Sequence, residues 1–179
     1  RTADDAPRFL PPYGDADVTV TLPATSPSVI AVGALTTRTR WPARDGSLVT
    51  NPEAREGETA PWSSRGPDFF GRIKPDLVAP GDVVIAALSS RAPFSDARLI
   101  QPDRVHIAAS GTSAAAPHVA GAIALLMEEF SSLTRREALS ALAAGSGSFD
   151  PFTTGWGALR VDRALAVLRR ASPERADPR

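Results

Sequence analysis

Between Ser113 and Phe130 almost every position is small and apolar: Ala114, Ala115, Ala116, Val119, Ala120, Ala122, Ile123, Ala124, Leu125 and Leu126. The stretch is predicted to be a helix, and a helix apolar on all sides is a buried one. It therefore has to be enclosed by other layers of the chain. Several short segments can supply them. Val18–Leu22, Ser28–Leu35, Asp76–Ala79, Val83–Leu88 and Arg104–Ala109 are β-branched or apolar runs bounded by turn residues, and read as strands. Pro80-Gly81 reads as a turn between two of them.

Two more helices follow. Thr134-Arg-Arg-Glu137 is a capping box that opens one, with Gly145 expected to stop it. Val161, Leu165 and Leu168 lie on one face of the other, predicted over Val161–Arg170. The segment Arg38–Pro61, rich in charge, Gly and Pro, reads as an exposed loop or an inserted hairpin. Arg1–Asp17 reads as a loop, and residues 171–179 as a polar, disordered tail.

Composition narrows the function classes. The 179 residues suit one domain with a real core. Twenty basic and twenty acidic residues cancel, which argues against nucleic acid or an anionic membrane as partner. With no cysteine, disulfides, thiolate metal sites and cysteine nucleophiles are excluded. The longest apolar run, Val119–Met127, is far short of the ~20 residues a membrane span needs. Lys74 is the one lysine, read as a compositional bias; Trp41, Trp62 and Trp156 are read as packing residues. Asp76 and Asp82 are read as solvated or turn-capping carboxylates, not a metal pair. The chain opens on Arg1 and its only methionine is Met127, so it is expected to be a piece of a longer protein.

The segment Ser110-Gly-Thr-Ser-Ala-Ala-Ala-Pro-His-Val-Ala-Gly121 carries the chemistry. A strand passes through a glycine turn, and Ser113 then sits in the first turn of the helix. Unpaired backbone N–H groups and about half a positive charge gather at such a terminus. An oxyanion forming beside Ser113 would be stabilised by both. Pro117 is expected to be tolerated as part of the first turn. The plain alternative is that Thr112 or Ser113 only caps the helix.

Gly111-Thr-Ser-Ala-Ala-Ala-Pro-His-Val-Ala-Gly121 resembles the nucleophile motif of the subtilisin-like serine proteases, the subtilases. Three more segments match in the same order: Ser26–Ala34, then Trp62-Ser-Ser-Arg-Gly-Pro67 with Lys74-Pro-Asp-Leu-Val-Ala-Pro-Gly81, and Gly155–Leu165. The resemblance covers Pro23 to Leu168. It implies an α/β fold, a mostly parallel sheet flanked by helices, with residues 1–170 forming the C-terminal part of the catalytic domain. It implies peptide-bond hydrolysis through an acyl-enzyme on Ser113, with the Ser113 N–H as one oxyanion donor. Ser110, Gly111 and Thr112 would face the polypeptide substrate. The family uses no cofactor in the chemistry and often binds calcium, for which no site is identified here. It also favours a secreted or extracytoplasmic location.

The family's aspartate, histidine and oxyanion asparagine precede its serine, and none of those motifs is present. The only asparagine, Asn51, lies too late in the order. His118 shares a helix with Ser113 but lies ~140° around it and ~7.5 Å along it, and is read as a packed helix residue. His106 lies in the preceding strand with no carboxylate motif beside it. The chain is therefore expected to be inactive alone, its partner being the N-terminal half of the domain. The alternatives are a pseudoprotease, or an interaction domain in which Ser113 only caps a helix. The segments Leu35–Trp62 and Ser89–Asp103 are longer than the family's connections, as lids, specificity loops or surface insertions.

The family often has methionine after the nucleophile, where this chain has Ala114. Thioether oxidation at that position is then impossible. Full-length enzyme is expected to resist peroxide inactivation; sustained peroxide sensitivity would count against that expectation.

Overall fold

The chain's most buried strands pair in parallel. The structure, a computed structural model, describes residues 17–93, 96–147 and 150–171. β1 (Val32–Thr36) lies beside β4 (Leu77–Asp82), with Val32 opposite Leu77 and Leu35 opposite Pro80. The register slips between Leu35 and Thr36, which sets Thr36 opposite Asp82. On the other edge of β4, Val78 bridges Ala158 in parallel.

Leu77 and Ala79 point to one face of β4, as alternation requires. There they join a core with Ala115, Val119, Leu126 and Phe130 from the long helix and its end. This helix, α1 (Thr112–Glu129), lies against β1 and β4. α2 (Arg135–Ser146) and α3 (Val161–Ala171) pack on each other and close the same core through Ala141, Leu142, Ala164 and Leu168. This is an α/β arrangement, parallel strands flanked by helices.

Two antiparallel pairs sit outside that core. β2 (Arg40–Pro42) and β3 (Leu48–Thr50) form a hairpin within the Arg38–Pro61 segment. β5 (Val84–Ala87) and β6 (His106–Ala109) form the other pair. Trp41 of the hairpin packs with Val83 and Ala108, tying the two pairs together.

The structure departs from the sequence reading at several points. Val18–Leu22 is not a strand. The Val18 and Thr19 N–H groups donate to the Gly66 and Arg65 carbonyls, in a segment that belongs to no strand. Pro80-Gly81 is not a turn but part of β4. Gly81 is there for space: a Cβ on it would lie 2.7 Å from the Ala34 Cβ and 2.9 Å from the Ala115 Cβ. Gly145 likewise does not stop α2. It lies inside the helix, where a Cβ would meet the Ala164 nitrogen at 2.9 Å. The stop is Gly147, in the left-handed region at φ 83°. The capping box at Thr134 forms both of its hydrogen bonds.

α1 is not buried all round. Ala115, Val119, Ala122 and Leu126 form its buried stripe, while Leu125 and Met127 are 61% and 46% exposed. Pro117 stands beyond the first turn, where its missing N–H leaves out the helical bond to the Ser113 carbonyl. Trp41 is buried as expected, but Trp62 and Trp156 are exposed. The expected N-terminal loop through residue 16 and the tail beyond Ala171 lie outside the described residues.

The single lysine has a structural use. Lys74 is only 4% exposed. Its ammonium donates to Asp76 Oδ2 at 2.6 Å and to the Val29 carbonyl at 2.9 Å. The same Asp76 oxygen accepts the Ala31 N–H at 2.7 Å. This pair fixes the chain just ahead of β1. Asp82 is also buried and accepts the Thr36 hydroxyl at 3.0 Å. Neither carboxylate is solvated, which corrects the sequence reading.

Removing one member of a buried ion pair leaves the other unpaired, at ~3–5 kcal/mol. Asp76→Ala is expected to destabilise the full-length protein on that scale in urea unfolding. Lys74→Met with Asp76→Leu together is expected to recover most of the loss. Equal losses in the single and double variants would contradict the pairing.

Candidate active site

β6 delivers the chain to Ser110, and three contacts then hold the turn ahead of α1. The Ser110 hydroxyl oxygen accepts the Val83 N–H at 3.0 Å. The Gly111 N–H donates to the Gly81 carbonyl at 2.8 Å. The Ala114 N–H donates to the Gly111 carbonyl at 2.9 Å. Val83 sits between β4 and β5 at φ 54°, a costly conformation for a β-branched residue. It redirects the chain from the parallel pair into the antiparallel one. Gly111 has φ 157° and ψ 151°, a region held almost only by glycine.

Gly111 occupies the N-cap position, and no side chain caps the helix. Thr112 and Ser113 are the first two helical residues. The Ser113 side chain is exposed, and the first turn carries no acidic residue to compete for its N–H groups. Ser113 therefore sits where free donors and the positive end of the helix dipole coincide. Thr112, half-buried, lines a cavity of about 150 Å³ with Val32, Gly33, Ser64 and Pro75.

Neither histidine is brought to Ser113. The His118 ring is exposed and its Nδ1 is bonded to the Ala114 carbonyl at 2.9 Å, so it is tied to its own helix rather than packed inside. His106 begins β6, separated from Ser110 by ~13 Å of extended strand. It does have a carboxylate partner, which sequence reasoning missed: His106 Nδ1 lies 2.6 Å from Asp103 Oδ2. The signal was local. Asp103 also accepts the N–H groups of Val105 and His106, a short Asx-type turn readable from an Asp two and three residues ahead of them.

Among the described residues, no three His, Cys, Asp or Glu side chains gather as a metal site. Asp76 and Asp82 are occupied by Lys74, Ala31 and Thr36, so they do not fit a calcium ion. No helix of the described residues is long and apolar enough to cross a membrane.

The family model described as the subtilase family matches residues 8–157. The chain is similar to serine protease AprX of Bacillus subtilis, 33% identical over 85% of this chain and 33% of the relative. It is similar to tripeptidyl-peptidase 2 of Drosophila melanogaster, 32% identical over 87% of this chain and 10% of the relative. Among solved structures it is similar to the CspB protease of Clostridium perfringens, with a TM-score of 0.56 and 25% identity. That match covers 86% of this chain and 30% of the other. The chain thus spans a third or less of each of these three proteins.

The Asp103–His106 pair has a titration consequence. The hydrogen bond with the His106 ring, and then the Val105 N–H, hold the Asp103 carboxyl below its ordinary value of 3.8, against the smaller effect of burial. A carboxylate depressed by folding stabilises above its unfolded pKa, and that contribution is lost as pH falls through the folded one. NMR titration of Asp103 is expected to give a midpoint below 3.8. In His106→Ala the midpoint should rise; an unchanged midpoint would show that the pair does not form.

Proposed function

The chain belongs to the subtilase family, and on that premise we propose that it carries the nucleophile-bearing part of a serine endopeptidase. One observation supports this reading above the others: Ser113 is exposed at the uncapped N-terminus of α1, on a turn pinned to Gly81. The Ser113 Oγ attacks the carbonyl carbon of a polypeptide bond as a base takes its proton. The carbonyl oxygen becomes an oxyanion, stabilised by the Ser113 N–H and the helix terminus. Collapse breaks the C–N bond, and the base returns the proton to the leaving amine. Water then attacks the acyl-serine by the same route in reverse. Ser110, Gly111 and Thr112 line the path of the substrate. The chemistry in this proposal uses side chains, backbone N–H groups and water, with no cofactor.

By family resemblance, the base, its orienting carboxylate and a side-chain oxyanion donor belong to other parts of the full-length protein. Without an adjacent base a serine hydroxyl is a weak nucleophile, and neither His106 nor His118 is near enough to serve. The 179-residue chain alone is therefore inactive. A secreted or extracytoplasmic location belongs to the same proposal, on family resemblance.

The distance of both histidines from Ser113 also favours a second reading, a pseudoprotease whose whole chain lacks the base. A fluorophosphonate probe separates the two. The full-length protein is expected to be labelled at Ser113, and Ser113→Ala to lose the label together with ~10⁶-fold in kcat. A folded full-length protein that takes no label would establish the second reading.

A further inference from the structure

We propose that the apolar cavity beside Ser110 is a substrate subsite for a large apolar side chain, built by the β2–β3 hairpin. It deepens the protease reading above and rests on it. The cavity holds about 400 Å³ and is lined by Trp41, Val83, Leu99, Ile107, Ala109 and Ser110, with no charged side chain among its lining residues. Ser110 ties it to the reaction. This residue forms part of the cavity wall and begins the turn that ends at Ser113. A polypeptide laid across Ser113 in extended form would place alternate side chains toward the same wall.

The lining chemistry selects the occupant. The one polar atom of the Trp41 side chain, Nε1, donates to the Arg98 carbonyl at 2.8 Å, leaving the indole as an apolar wall. The Ser110 hydroxyl oxygen is engaged by the Val83 N–H. A charged or amide side chain entering here would lose water without gaining a designed partner. A phenyl or branched aliphatic group loses nothing of that kind.

The cavity is preformed. The Arg44 N–H donates to the Ala97 carbonyl at 3.1 Å, and the Ala108 N–H to the Leu99 carbonyl at 2.7 Å. These bonds lock the hairpin to the 96–103 segment and the segment to β6, so little ordering is left for binding to supply. The two long segments, Leu35–Trp62 and Ser89–Asp103, thus meet to form one wall beside the nucleophile turn. They are specificity elements.

The test uses the full-length protein carrying Ser113→Ala, with fluorescent extended peptides that differ by one Ala or Phe at successive positions. At one position Phe is expected to bind about tenfold tighter than Ala, the discrimination an apolar pocket supplies. Ala109→Leu fills the cavity and should erase that preference, so that the Phe and Ala peptides bind alike. Leu99→Ala widens the cavity and should weaken the preference, which guards against a folding defect in the first variant. A Phe preference that survives both substitutions, or no Phe-preferring position at all, overturns the subsite. Cleavage by protein that retains Ser113 is read separately. Phe-selective binding without cleavage overturns the protease reading and leaves the subsite standing.

Discussion

The close approach of β1, β4 and α1 at Gly81 sets the geometry of everything ahead of the long helix. With a Cβ there, Ala34 and Ala115 would both be in collision. Without one, α1 lies directly on the two strands, and Ala115 is fully buried at its foot. The carbonyl of the same glycine accepts the Gly111 N–H. Helix depth and turn position are therefore set at one backbone site. Interiors pack too densely for such a contact to be moved without repacking its neighbours.

Buried carboxylates do the work of missing strands in the segment that leads to β4. Residues 51–76 contain no strand, so their backbone groups need other partners. Asp68, almost fully buried, accepts the N–H groups of Phe70 and Arg72 and pairs with the Arg72 guanidinium at 2.8 Å. Burial pushes its carboxyl up, but those donors together outweigh it and hold it below the usual range. Arg72 in turn donates to the Thr25 carbonyl. Lys74 and Asp76 repeat the device at the threshold of β1. These bonds tie the irregular segments to the backbone around them, next to the parallel pair.

The turn before Ser113 is bonded at Ser110, Gly111 and Ala114, which holds the start of α1 in one place. The antiparallel pairs extend the same rigid frame outward through Trp41 and Leu99. By contrast the outer face of α1 is apolar and uncovered. A helix of small residues can lie against a further layer as closely as it lies against β4.

Much of this was legible in the residues themselves. The capping box at Thr134, the long helix after Gly111 and the first-turn position of Ser113 follow from local rules, because turns, caps and periodicity act over a few residues. Where the reading went astray, the deciding partner was far away in sequence. Pro80-Gly81 and Gly145 look like breakers, yet each is a contact point for another element. Lys74 looks like chance composition until Val29 and Asp76 surround it. The Asp103–His106 pair is the exception, since its partners lie three residues apart and the turn that joins them is readable locally. The sequence alone determined the local form of the turn before Ser113, since helix termini and glycine conformations are properties of neighbouring residues. Only the tertiary structure decided which glycines are spacers, which charges are buried and that the two long segments enclose a cavity beside Ser110. Those outcomes depend on excluded volume and desolvation between segments that are distant along the chain.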